Sequence, residues 1–200
     1  MTYHEAVDPE YGNPTSARAL INGLPGSNEI LMGGYNTHHC AVFNTVTGIS
    51  ENFEAVSDQT DVMLYYKDVL YSGNYAAGCV TRLNREDKAR NQVLLTLNDD
   101  IYDQARVHTL AAGDDMLFAG SAPDKFLYGG CLAIIDLNTL ERHVERNVVQ
   151  DQSINSLVYH DGYVYGSTSI YGGTGTAVRD DLSAKIFVYD VEDVVKVRTG

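Results

Sequence analysis

Tryptophan is absent from this 200-residue sequence, proline occurs four times, cysteine three times, and Lys plus Arg reach only 14 against 27 Asp plus Glu. Each shortage excludes something. The resulting formal net charge of −13 argues against a nucleic-acid phosphate backbone as partner, and an acidic surface of this kind serves solubility. Cys40, Cys79 and Cys131 are odd in number and widely spaced, which gives neither a disulfide framework nor a zinc site. No apolar run approaches the roughly 18 residues of a membrane helix, so no membrane partner is expected. The opening MTYHEAVDPEYGNP lacks the apolar stretch of a signal peptide.

Hydrophobic residues make up 44% and charged residues 20%, enough apolar content for a sizeable core. Glycine at 18 and tyrosine at 14 suit many short strands joined by turns. Self-similarity then organises the chain. NEILMGGY from Asn28, KDVLYSGN from Lys67, DDMLFAGS from Asp114 and DGYVYGST from Asp161 each run from a polar turn through an apolar triplet to small residues. Aligning Gly33, Ser72, Ala119 and Gly166 gives spacings of 39, 47 and 47 residues.

A further strand follows each triplet and ends on Asn44, Asn84, Asp136 or Asp190; another run precedes each triplet, and a weaker fourth follows. A unit of about 45 residues and four strands is the repeat of a β-propeller blade. The triplets Val69-Leu70-Tyr71 and Met116-Leu117-Phe118 are apolar at consecutive positions, as strands buried on both faces require. The expected fold is therefore all-β, four consecutive four-stranded antiparallel blades over residues 15–57, 58–101, 102–150 and 151–200, the last with its outer strand truncated, and with 1–14 as an N-terminal segment or a strand of a preceding blade. Four stacked sheets leave apolar faces at the ends of an arc. Further blades of the same chain, in a ring of seven or eight, or a second copy are expected to cover them.

The innermost strands begin alike: Asp58-Gln59-Thr60-Asp61, Asp103-Gln104-Ala105-Arg106 and Asp151-Gln152-Ser153-Ile154, with Thr15-Ser16-Ala17-Arg18 as the first. Gathered about one axis, these starts would make a polar mouth from Arg18, Gln59, Asp61, Gln104, Arg106, His108, Gln152 and Asn155. The same Asp-Gln pairs also suit turns between blades, closed by side-chain capping of backbone N–H groups. The loops between second and third strands open on the same side and lengthen along the chain, bringing Tyr128 and Tyr171. Tyrosines beside amides and hydroxyls suit a hydroxyl-rich ligand. Tyr171-Gly-Gly-Thr-Gly175 is no phosphate loop, since it lacks the GK[ST] ending and joins strands. No cofactor is expected. His38 and His39 are adjacent, and neighbours in a strand face opposite ways, so no shared metal site is expected from them. The cysteines read as small core hydrophobes.

Asp-Gln-Ser-Ile-Asn-Ser-Leu, Tyr-Gly-Ser-Thr-Ser-Ile-Tyr-Gly-Gly-Thr-Gly and Ala-Lys-Ile-Phe-Val-Tyr-Asp, all between residues 151 and 190, resemble bacterial propeller proteins of the quinoprotein-like and WD40-like repeat class. The resemblance implies an extracellular or cell-surface setting. No blade ends in the Trp-Asp dipeptide, and without tryptophan the docked blades of quinone-dependent dehydrogenases are not reproduced. The functional expectation is a binding module that takes a carbohydrate or protein ligand at the channel mouth, with truncation of Arg106 or Gln152 weakening binding at little cost in stability. The alternatives are a scaffold without ligand, or part of a propeller-type polysaccharide lyase or hydrolase with Arg106, His108 and Tyr171 at its centre.

Overall fold

A computed structural model describes residues 17–24, 26–56 and 59–192. The strands are β1 (Ala17–Asn22), β2 (Glu29–Gly34), β3 (His39–Asn44) and β4 (Ser50–Glu54), then β5 (Gln59–Tyr66), β6 (Val69–Tyr75), β7 (Cys79–Leu83) and β8 (Gln92–Thr96). They continue with β9 (Gln104–Gly113), β10 (Met116–Pro123), β11 (Cys131–Asp136), β12 (Arg142–Arg146), β13 (Ser153–His160), β14 (Tyr163–Ser169) and β15 (Ile186–Asp190). Every pairing among the described strands is antiparallel, and each unit is an up-and-down meander from inner to outer strand. One pair, Tyr75 with Arg106, continues the ladder from β6 of the second unit to β9 of the third. This is an all-β propeller fold, and no helix among the described residues is long and apolar enough to cross a membrane.

Two local devices repeat and explain the meanders. The inner and second strands of units two to four are joined by two-residue turns, Lys67-Asp68, Asp114-Asp115 and Asp161-Gly162. Both residues of each turn have positive φ, between 48 and 83°, which is the backbone that matches the twist of a hairpin. The polar residue closing each third strand accepts N–H groups from the turn beyond it. Asn44 Oδ1 takes Val46 N and Thr47 N, Asn84 Oδ1 takes Glu86 N and Asp87 N, Asp136 Oδ1 takes Asn138 N and Thr139 N, and Asp190 Oδ1 takes Glu192 N. A short carboxylate or amide at that one register stands in for a backbone acceptor.

The core lies between units, not within them. Tyr71 and Val80 on one face of unit two meet Leu110, Leu117, Ala133 and Ile135 of unit three. Ala111, Phe118, Leu132 and Ile134 on the other face of unit three meet Leu157, Val164 and Phe187 of unit four. Leu31, Val42 and Phe53 of unit one meet Met63, Leu70 and Leu83 of unit two. On unit four the residues in register with Ala111, Phe118 and Ile134 are Val158, Tyr165 and Val188, and these are 58, 37 and 58% exposed.

The pairings also correct the alignment of the repeats. Gly33 opposes Ala19, Gly73 opposes Val62, Gly120 opposes Thr109 and Ser167 opposes Ser156. Gly33 thus shares its register with Gly73, Gly120 and Ser167, and the partner of Ser72, Ala119 and Gly166 in unit one is Met32. At Gly73 and Gly120 of this column the next unit approaches closely. A methyl on Gly73 would overlap Val107 Cγ1 and lie 2.8 Å from Val107 Cβ, and one on Gly120 would meet Ile154 at the same place one unit on. Gly73→Ala is expected to cost about 1–3 kcal/mol by overpacking, and Val107→Ala added to it to recover part of that loss. Urea denaturation of the two variants against Val107→Ala alone measures this; additive losses would contradict it.

Candidate axial site

β1 packs on β5, β5 on β9 and β9 on β13, so the four inner strands stand side by side around one axis. Each carries a β-bulge, and the bulge falls at one register in all four. The ladder slips between Ala17 and Ala19, Thr60 and Val62, and Ile154 and Ser156. In unit three it slips where Val107 opposes Ser121 and Thr109 opposes Gly120. The extra residues are Arg18, Asp61, His108 and Asn155. A bulge frees one side chain from the strict alternation of a strand and re-aims it, and bulges gather at functional sites for that reason. All four are among the residues expected at the mouth, but Asp61 is in register with His108 and not with Arg106. β9 is longer on this side, with eight residues from Arg106 to its turn at Asp114 against six from Asp61 to Lys67, and Arg106 pairs with Ala122 next to a second slip around Ala105. The side chain of Arg18 lies outside the described part of the structure, as does Asp58.

Asp61 is the electrostatic anchor. Its side chain is 1% exposed and receives Arg106 Nη1 at 2.6 Å on Oδ2 and Gln59 Nε2 at 2.5 Å on Oδ1. Gln59 Oε1 in turn accepts Asn36 N at 2.9 Å, tying unit two to the β2–β3 loop of unit one. The Arg106 guanidinium stacks 4.1 Å from the centroid of Tyr75, a cation–π contact. Beside this pair lies a small pocket of about 90 Å³ lined by Tyr75, Arg106, His108, Lys125, Gly172 and Thr174, among others. Arg106 remains 22% exposed, His108 is half-buried and Asn155 exposed.

Gln104 and Gln152 are used differently. Both are buried. Gln104 donates to Tyr102 O and Gly129 O and accepts from Ser121 Oγ at 2.8 Å. Gln152 donates to Ser183 O and accepts from Thr168 Oγ1. These amides sew the inner strand to the second strand and the long loop of the same unit, which revises the expectation for Gln152→Ala: its loss acts on stability. Asp103 and Asp151 ahead of them adopt positive φ, the turn conformation that short polar residues tolerate.

The two long loops form one surface. Phe126 N donates to Thr174 O and Gly173 N to Leu127 O, and Gly173 lies so close to Asp124 O that no Cβ fits between them. Tyr128 hydroxyl donates to Ala177 O at 2.6 Å, and its ring lies 5.7 Å from the Arg179 guanidinium. Phe126 and Tyr171 stand out from this surface at 73 and 64% exposure. Tyr75, Lys125 and Phe126 were not among the expected site residues; the Lys-Phe pair at the tip of a long loop was the available signal for two of them.

A larger concavity of about 580 Å³ lies between the outer parts of units one and two, with Tyr65, Arg85 and Arg90 in its wall. Its chemistry is mostly spent internally, since Arg85 pairs with Glu29 through both terminal nitrogens and reaches Tyr65 hydroxyl. The thiols are buried, and desolvation pushes Cys40 up to about 11 and Cys131 up to about 12, so neither offers a thiolate.

The fold and its inner ring of bulged strands define a protein of the propeller class. No family model and no curated protein matches the chain. Solved structures do. It is similar to the computationally designed Ika4 protein at 15% identity and TM-score 0.59, covering 88% of this chain and 92% of that one. It is similar to the computationally designed Ika8 protein at 14% identity and TM-score 0.60, covering 90% of this chain and 47% of that one. The β-propeller domain of Myceliophteria thermophila Cps50 (Swd1) matches at 9% identity and TM-score 0.56, over 83% of this chain and 54% of that domain. The chain thus spans nearly all of Ika4 and about half of the other two. At these identities the likeness is one of fold.

Proposed function

We propose that this chain is a binding module whose partner, another protein, docks on the axial end of the inner strands. The bulge repeated at one register in all four inner strands supports this reading, because the same irregularity is kept in every unit and in units two and three it sets Asp61 and His108 beside Arg106. Arg106 over Tyr75 gives a rigid cation at its centre, and Phe126 and Tyr171 give exposed aromatic anchors at its edge. Arginine and aromatic side chains around a small polar pocket are what protein interfaces use for most of their energy.

The test presents wild type, Arg106→Ala and Phe126→Ala side by side to a glycan array and to an array of immobilised peptides and domains. Binding to a protein feature that falls tenfold or more in either variant supports the proposal. Binding confined to glycans would transfer the site to a carbohydrate ligand. Identical profiles for all three chains would leave the axial end without a role.

One observation favours a second reading, that of a scaffold. Val158, Tyr165, Ile186 and Val188 form an exposed apolar face on unit four, in register with faces that units two and three bury against their successors. A further unit covering it, from a longer chain or a second copy, would extend the arc toward a larger ring. Concentration-independent monomers that bind no apolar-surface dye would exclude it.

A further inference from the structure

His38 is not part of a strand: it lies in the bend ahead of β3, while His39 opens β3. Alternation of side chains therefore does not separate them. Their rings sit 4.2 Å apart at 43°. His39 pairs across the sheet with Glu54, the last residue of β4. The backbone holds this corner: Ala55 N donates to His38 O at 2.8 Å, and His39 N donates to Thr37 Oγ1 at 3.2 Å. One donor atom from each of His38, His39 and Glu54 lies within 4.8 Å of the others.

We propose that His38, His39 and Glu54 form a site for a divalent transition-metal ion of the zinc class. Two imidazoles and a carboxylate with open positions left for water are a donor set zinc accepts, with metal–ligand bonds near 2.0–2.2 Å and so about 3.3 Å between ligand atoms. The backbone hydrogen bonds hold the corner, and the step that remains for the ion is rotation of the three side chains from this spacing to that one. Two nitrogen donors select against calcium and magnesium, which take oxygen. Thiols do not compete, since all three cysteines are buried.

One local group opposes the ion. Lys88 Nζ lies 2.6 Å from Glu54 Oε2, and together with the two histidines it holds the Glu54 carboxyl below the usual carboxylate range. A dication must displace or tolerate this ammonium. The pairing makes a specific expectation: removing the lysine frees a ligand and removes a like charge.

Isothermal titration of the chain with zinc chloride, with calcium chloride in parallel, tests this. One zinc per chain is expected and no calcium heat at the same concentrations. His39→Ala and Glu54→Gln should each weaken zinc binding tenfold or more, and Lys88→Ala, at a side chain 69% exposed, should tighten it several-fold. No saturable heat, equal binding of calcium, binding unchanged in His39→Ala, or affinity unchanged in Lys88→Ala would each overturn the assignment.

Discussion

Asp61→Ala is expected to lower the free energy of unfolding by about 3–5 kcal/mol, the usual loss when one partner of a buried ion pair is removed. The reason lies in what the carboxylate leaves behind. Asp61 is almost wholly buried, and its two oxygens receive the Arg106 guanidinium and the Gln59 amide. Without it, the bulge of β5 presents a methyl to two polar groups that had been desolvated to meet it, and unmet buried donors cost more than the bond they made was worth. Arg106→Ala should cost at least as much: it takes the cation from a carboxylate that is itself buried, whereas the Arg106 guanidinium left by Asp61→Ala is partly open to water. The double variant completes the cycle, and coupling between the two residues should reach about 1–3 kcal/mol, as for groups in one network. Chemical denaturation of the four chains supplies every term. If Asp61→Ala lost less than about 1 kcal/mol, the anchoring role assigned to this carboxylate would be untenable.

The sequence carried the fold through its turns more than through its strands. Lys67-Asp68, Asp114-Asp115 and Asp161-Gly162 recur ahead of each apolar triplet because a two-residue hairpin needs positive φ at both positions, and Asn44, Asn84, Asp136 and Asp190 recur because each third strand ends by capping its own turn. Both are local demands, met within a few residues, and so both are legible without the rest of the molecule. The glycine column was harder. Gly33 looks like a counterpart of Gly166 when small residues are matched by type, yet the ladder sets it level with Ser167. What selects a glycine there is the Val107 or Ile154 of the next unit, and that pressure comes from across an interface the sequence does not display.

The same division separates the site residues. Arg18, Asp61, His108 and Asn155 could be named from the similarity of the inner-strand openings, but the bulge that unites them could not, because a slipped register leaves no composition signal. Nor could the different uses of the three glutamines. Gln59 turns toward Asp61, whereas Gln104 and Gln152 turn toward Ser121 and Thr168 of their own units, and the choice depends on which hydroxyl the second strand offers. For His38 and His39 the alternation rule was sound and was applied one residue too far, since β3 begins at His39.

Phe118→Ala should be as costly as the loss of Asp61, about 3–5 kcal/mol, and its counterpart in the next unit shows why. Phe118 is fully buried, stacked on Tyr159 with ring centroids 5.1 Å apart, between Ala111 and Ile134 on one side and Leu157, Val164 and Phe187 on the other. Truncation empties the middle of the interface between units three and four, and the flanking sheets cannot close on the gap without breaking ladders on both sides. Tyr165 occupies the same register one unit later but faces outward, and Tyr165→Ala should change the stability of the single chain by less than about 1 kcal/mol. Position in the repeat is therefore not what sets the cost; the presence of a neighbouring sheet is. The pair of variants also reads the second function proposed above. Should a further unit or another copy cover unit four in solution, Tyr165→Ala would become destabilising in proportion to the covered fraction, and its effect would rise with protein concentration if the cover were a second copy. A loss for Tyr165→Ala matching that for Phe118→Ala at micromolar concentration would mean that the face is already covered, and a loss below 1 kcal/mol for Phe118→Ala would contradict the inter-unit core itself.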